Sequence, residues 1–94
     1  MIAYERFSFE GKNYLVIGKR RVEASDVKEV LEILDKYERE YGRHVVYVIT
    51  MLIDLEAARE LRNSRIRIID DLRGWGKEEE AIRKFARELG LKKQ

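Results

Sequence analysis

Cysteine is absent from the 94-residue chain, which excludes a disulfide framework and any thiolate zinc site. A secreted domain of this size usually needs such a staple, so a reducing, cytoplasmic setting is expected. Histidine occurs once, at His44, with no second histidine or cysteine to share a zinc or copper ion, so that ring is expected to be structural. No apolar run approaches the roughly 18 residues a membrane span requires. The start Met1-Ile2-Ala3-Tyr4-Glu5-Arg6 is charged within five residues, unlike a signal peptide. A membrane partner is therefore not expected. A glycine-rich phosphate loop, a nucleophile elbow and a His-Glu helical pair are all missing.

What is present is charge on an apolar base. Hydrophobic residues make up 45% and charged residues 40%, which excludes a disordered tail and leaves enough apolar material to fill the space between a sheet and its helices. At this length roughly 60–65% of the unfolded surface can be buried, so one domain over residues 1–94 is expected. A net charge of +2 permits nucleic-acid binding without demanding it. The dense mixture of Glu, Arg and Lys is also what a heat-adapted protein shows through surface ion-pair networks.

Along the chain, Ile2 to Phe9 alternates and is rich in aromatics, Glu10-Gly11-Lys12 has turn chemistry, and Asn13 to Lys19 resumes with Tyr14-Leu15-Val16-Ile17. This predicts a β-hairpin. Ser25-Asp26 then offers an N-cap, and Val27, Val30, Leu31, Leu34, Tyr37 and Tyr41 recur at helical spacing up to Gly42, predicting a helix over about 24–41. The β-branched run His44 to Ile49 predicts a strand covered on both faces, with parallel neighbours. Asp54 can cap a second helix to about Arg62, with Leu55, Ala58 and Leu61 inward and Asn63 in the left-handed conformation that ends it. Arg65 to Ile69 reads as a strand, Asp70 to Gly76 as a loop. Lys77 to Leu89 reads as a helix with Ala81, Ile82, Phe85 and Leu89 on one face, Gly90 ending it and Leu91 packing back. The order is β-β-α-β-α-β-α. The fold class is α/β, a mixed four-stranded sheet with the last three strands parallel and side by side, the first antiparallel on the edge, and three flanking helices.

The stretch Asn13-Tyr14-Leu15-Val16-Ile17-Gly18-Lys19-Arg20-Arg21 and the helix after it resemble the PD-(D/E)XK nuclease superfamily, whose second hairpin strand commonly reads as an apolar run, Glu-x-Lys and a basic turn. Val46 to Thr50, Asp54 to Leu61 and Ile66 to Asp70 resemble its later elements, so the likeness spans residues 2 to about 70. It implies a restriction-endonuclease-like fold, here without the family's usual first helix and first strand. The resemblance puts Lys19 at the motif lysine, Glu5 at the expected Asp and Ile17 at the expected Glu. In such nucleases the two carboxylates hold a divalent metal and the lysine orients the attacking water. A hydrocarbon at Ile17 cannot ligate magnesium.

Loop length decides how much of that site survives. A three-residue loop, Glu10 to Lys12, sets Glu5 opposite Ile17 and on the face of Lys19; a two-residue loop, Gly11-Lys12, sets Glu5 opposite Gly18. Glu32 has the spacing at which some superfamily members supply a carboxylate from the next helix, but it lies nearly opposite the apolar stripe and should point to solvent. The function expected is a catalytically degenerate nuclease-fold protein that binds nucleic acid or serves assembly, with no cofactor. One alternative is an active nuclease using Glu5, Lys19 and magnesium; another is a structural homodimer. Lys19, Arg20 and Arg21 are the candidate phosphate contacts, extended by Arg6, Lys12, Arg43, Arg65 and Arg67. Trp75, between two glycines, is a candidate for base stacking or for plugging the sheet edge. Asp70-Asp71 suits either a metal or a turn.

Overall fold

A computed structural model describes residues 2–70 and 76–94. Two strands, β1 (Ala3–Phe9) and β2 (Lys12–Gly18), form the hairpin, and a two-residue β3 (Arg21–Val22) leads into helix α1 (Ala24–Tyr41). Strand β4 (His44–Thr50) and a two-residue β5 (Leu52–Ile53) precede helix α2 (Leu55–Asn63) and strand β6 (Arg67–Asp70). Helix α3 (Glu78–Leu89) and β7 (Lys92–Lys93) close the chain. The main sheet runs β6-β4-β2-β1-β7, while β3 and β5 form a parallel pair of their own. As expected, β2, β4 and β6 are adjacent and parallel, and β1 is antiparallel to β2. Among the described residues the sheet has five strands rather than four, because Lys92 and Lys93 pair with Ser8 and Phe7 and β1 is no longer outermost.

The hairpin loop is neither of the two expected. Phe9 pairs with Lys12, leaving Glu10-Gly11 as the turn, and both have positive φ, 50° and 78°. A tight hairpin turn of the primed type needs that sign at both central residues. Gly11 adopts it freely; Glu10 bears a steric cost. Consequently Glu5 faces Val16, and Tyr4 faces Ile17.

Side chains alternate across a strand, so the sheet feeds two cores. Leu15, Ile17, Val46 and Val48 join Val27 and Val30 of α1 and Ala57 and Leu61 of α2. Phe7, Val16 and Ile49 join Ile82 and Ala86 of α3 on the other face. Leu15, Val16 and Ile17 are each wholly inaccessible. At Gly18 the α3 layer comes close: a Cβ there would lie 3.1 Å from Ile82 Cγ1 and 3.3 Å from the Glu78 carbonyl.

Helix boundaries follow local chemistry, with some shifts. The α1 cap is Glu23, ahead of the expected Ser25-Asp26. Asp26 sits in the first turn, where its carboxylate accepts the Glu23 N–H at 2.8 Å. Helix α2 continues through Asn63, and the left-handed residue is Arg65 (φ 62°). Ile66 N–H bonds to the Leu61 carbonyl and Arg65 N–H to that of Arg62, a Schellman stop whose apolar pair, Leu61 and Ile66, is buried. The α3 stop has the same pattern at Gly90 and Leu91. Leu55 is 75% exposed, because burial of Ala57 turns the α2 stripe until Leu55 lies about 110° from its centre. In α3 Ala86 is buried and Leu89 is exposed. Among the described residues no helix is long and apolar enough to cross a membrane.

Candidate functional site

The segment after β2 is built around one carbonyl. Met51 and Leu52 both donate their N–H groups to Arg20 O at 2.9 Å, and the inaccessible Thr50 hydroxyl lies 3.1 Å from Arg20 O and 2.9 Å from Leu52 O. With Lys19 N–H bonded to Ile49 O at 3.1 Å, residues 19–22 are held in one conformation. Each of the three basic side chains meets a carboxylate. Lys19 Nζ donates to Arg21 O at 2.7 Å and pairs with Asp26 at 3.1 Å. Arg21 pairs with Glu23 at 3.3 Å. Arg20 donates to the Gly76 carbonyl and lies 3.9 Å from Glu78. Glu23 and Asp26 were legible as partners from their neighbouring positions; Glu78, brought in by α3, had no sequence signal.

Partial burial pushes the Asp26 carboxyl up, but the Glu23 N–H and the Lys19 ammonium outweigh it and hold the group below its ordinary range. Lys19 is thus tied to the α1 N-terminus, on the Ile17 face of the sheet. Glu5 lies opposite Val16 on the α3 face. The structure does not bring Glu5 and Lys19 together. Ile17, fully buried in the α1/α2 core, presents no oxygen between them. These residues do not fit a divalent cation, which needs several hard oxygen donors around one point. Among the described residues no group of three His, Cys, Asp or Glu is placed to hold a metal ion. Glu5 Oε2 is nevertheless buried without a hydrogen bond, 3.9 Å from the exposed Lys93 ammonium. Glu32 is exposed, as its helical position required, and Asp70 ends β6 on the surface. Trp75 and Asp71 lie outside the described residues.

At the opposite end of the sheet, sequence reasoning missed a cation–aromatic cluster. Arg6 lies with its guanidinium carbon 3.6 Å from the Tyr41 ring centroid and 5.5 Å from that of Tyr37. Its Nε donates to His44 Nε2 at 3.0 Å, and His44 Nδ1 is 2.7 Å from Gly42 O. Both bonds have a donor only when the ring proton sits on Nδ1. Tyr4 packs edge-on against Tyr37, and burial, with Tyr4 adding to it, pushes the Tyr37 phenol up. The cluster clamps the end of α1 to the hairpin, which gives His44 the structural role expected of it.

A hairpin, a helix, a parallel strand, a short helix and a further parallel strand form the core of a restriction-endonuclease-like nuclease fold. Two solved structures share it with this chain. One is a repair endonuclease from Pyrococcus abyssi, with TM-score 0.59, 16% identity, and coverage of 66% of this chain and 28% of that one. The other is EndoMS in its apo form, with TM-score 0.67, 17% identity, and coverage of 79% and 34%. The likeness is one of fold, and the chain spans about a third or less of either protein's length. No protein-family model matches the sequence, and no curated protein matches it.

Proposed function

We propose that this chain is a nuclease-fold protein without cleavage activity that acts as a nucleic-acid-binding or assembly module, folding as one domain over residues 1–94 and holding no resident metal. The observation that carries the reading is Ile17, wholly inaccessible in the core at the position where the resemblance calls for a second metal-binding carboxylate. The separation of Glu5 and Lys19 onto opposite faces of the sheet supports it. The shared fold of two endonucleases supports nucleic acid as the partner class.

One feature favours the rival reading, an active magnesium-dependent nuclease: the orphaned Glu5 oxygen. Plasmid incubated with magnesium or manganese separates the two. The proposal expects no cleavage above buffer, whereas manganese-dependent cleavage abolished by Lys19→Ala overturns it. Binding to labelled duplex and single-stranded DNA across a salt series tests the other half. Log affinity should fall linearly with log salt concentration. No association even at low ionic strength discards the binding role and leaves a structural homodimer, for which the outer edge of β6, without a partner strand among the described residues, offers a surface.

A further inference from the structure

The basic residues singled out in the sequence do not form one patch. The fold sends them to opposite ends of the sheet. At the end where β2, β4 and β6 finish, Lys19, Arg20 and Arg21 each face a carboxylate, and the first turns of α2 and α3 add Glu56, Glu79 and Glu80. Among the described residues acidic side chains outnumber basic ones there, so the helix N-termini that would otherwise attract anions are already answered.

The other end is concave and positive. Where β4 and β6 begin, a hollow of about 600 Å³ opens between the end of α1 and the α2–β6 turn, its walls including Glu38, Arg43, Arg65 and Arg67. A second, of about 330 Å³, adjoins it and extends to the hairpin at Lys12. The two adjoin at Arg43, His44 and Val45, and we take them together as a groove crossing roughly 10 Å of sheet from β2 to β6. Lys12, Arg43, Arg65 and Arg67 are exposed. None of them has a carboxylate within ion-pair distance among the described residues. Arg67 is steadied by a 3.0 Å bond to the Tyr47 hydroxyl, a neutral partner that leaves its charge uncompensated.

Among the described residues Glu38 is the one carboxylate lining the groove, and it accepts the His44 N–H at 2.9 Å. The C-termini of α1 and α2 also point here, each worth about half a negative charge. Four cations against that total leave a surplus of roughly two positive charges. Arginines placed only to complement two helix ends would not exceed them. Arg65 adds a second sign: it holds a left-handed conformation, φ 62°, where glycine or asparagine would sit with less strain.

We infer that this groove, and not the Lys19-Arg20-Arg21 turn, is where the protein holds the phosphate backbone of a nucleic acid, with Arg43 and Arg65 as the principal contacts. The inference rests on the nucleic-acid-binding reading and gives it a location. Guanidinium groups suit phosphate because they offer paired donors in a fixed plane. The field is short-ranged at physiological salt, so contact depends on the backbone entering the groove.

The test compares two double variants of the full chain, Arg43→Asn with Arg65→Asn, and Arg20→Asn with Arg21→Asn. Asparagine at 65 tolerates the left-handed backbone, and circular-dichroism melts verify folding. Anisotropy of a labelled oligonucleotide, single-stranded and as a duplex, is followed across a salt series. The groove variant should lose about tenfold in affinity per arginine at low salt, and its salt slope should flatten by about 0.7 per residue on the single strand or 0.9 on the duplex. The turn variant should bind like the parent. Loss confined to the turn variant, or equal loss in both, overturns the groove while leaving nucleic-acid binding intact. A parent that binds neither probe removes both.

Discussion

Replacing Ile17 by glutamate puts a carboxylate where the resemblance to the PD-(D/E)XK nucleases calls for one, and the packing around that position sets the cost. Ile17 is 0% exposed, and its neighbours are hydrocarbon from β2, β4, α1 and α2. Losing a fully buried branched side chain costs about 1.5–3 kcal/mol. Forcing an unpaired charge into the same space adds about 3–5 kcal/mol. Together these approach the whole stability of a domain this size, about 5–15 kcal/mol. At roughly 4–8 °C per kcal/mol, the melting temperature of Ile17→Glu should fall by at least about 20 °C. The penalty must grow with pH. Burial raises the new carboxyl above its unfolded value near 4.3, so stability retained below that pH is lost as the pH rises through the folded value. Melts followed by circular dichroism at pH 5 and pH 8, with plasmid cleavage in manganese, check both points. A variant within about 1 kcal/mol of the parent that gained cleavage would show that position 17 opens onto solvent, refuting the reasoning.

Glu10→Asn should stabilise the protein by about 0.5–1 kcal/mol, because asparagine takes the positive φ of this turn at less cost than glutamate; a urea titration with unchanged m-value reads it, and a loss of stability would mean that the Glu10 side chain makes a contact that matters. The Asp26 carboxyl, lowered in the folded state by Glu23 N–H and Lys19 after burial has opposed them, contributes stability that is complete above the unfolded value near 3.9 and disappears as the pH falls through the folded one. Acid titrations should therefore show Asp26→Asn less stable than the parent at neutral pH and the two converging toward pH 2; a constant gap would assign the effect to packing instead.

Sequence periodicity placed most of the secondary structure, and the reasons are local. The α1 stripe from Val27 to Tyr37 and the α3 stop at Gly90-Leu91 depend on residues within a few positions of one another, which a linear reading captures. The parallel order of β2, β4 and β6 followed from the unbroken apolar run at Val45 to Ile49 and the helices between strands. Elements sustained by distant partners were hidden. Lys92-Lys93, Arg21-Val22 and Leu52-Ile53 are too short to show a period and exist only because another segment supplies the ladder. The hairpin register turned on Glu10, a residue type that rarely adopts positive φ, bearing half of the turn. For the candidate site, sequence marked Lys19, Arg20 and Arg21 because they are contiguous. Lys12, Arg43, Arg65 and Arg67 line two adjoining hollows but are dispersed over 56 positions, and only the tertiary fold shows them as a group.

Strand β2 serves both interiors through alternate residues: Leu15 and Ile17 belong to one, Val16 to the other, and Gly18 leaves room for α3. A slip of one position would exchange these fillings, sending the bare glycine toward α1 and a bulky isoleucine against Ile82. An inserted or deleted residue between 14 and 18 therefore damages two compartments simultaneously. The Glu10-Gly11 bend, where nothing lies within 4 Å of a Cβ at Gly11, is the natural place for this fold to tolerate a change in length.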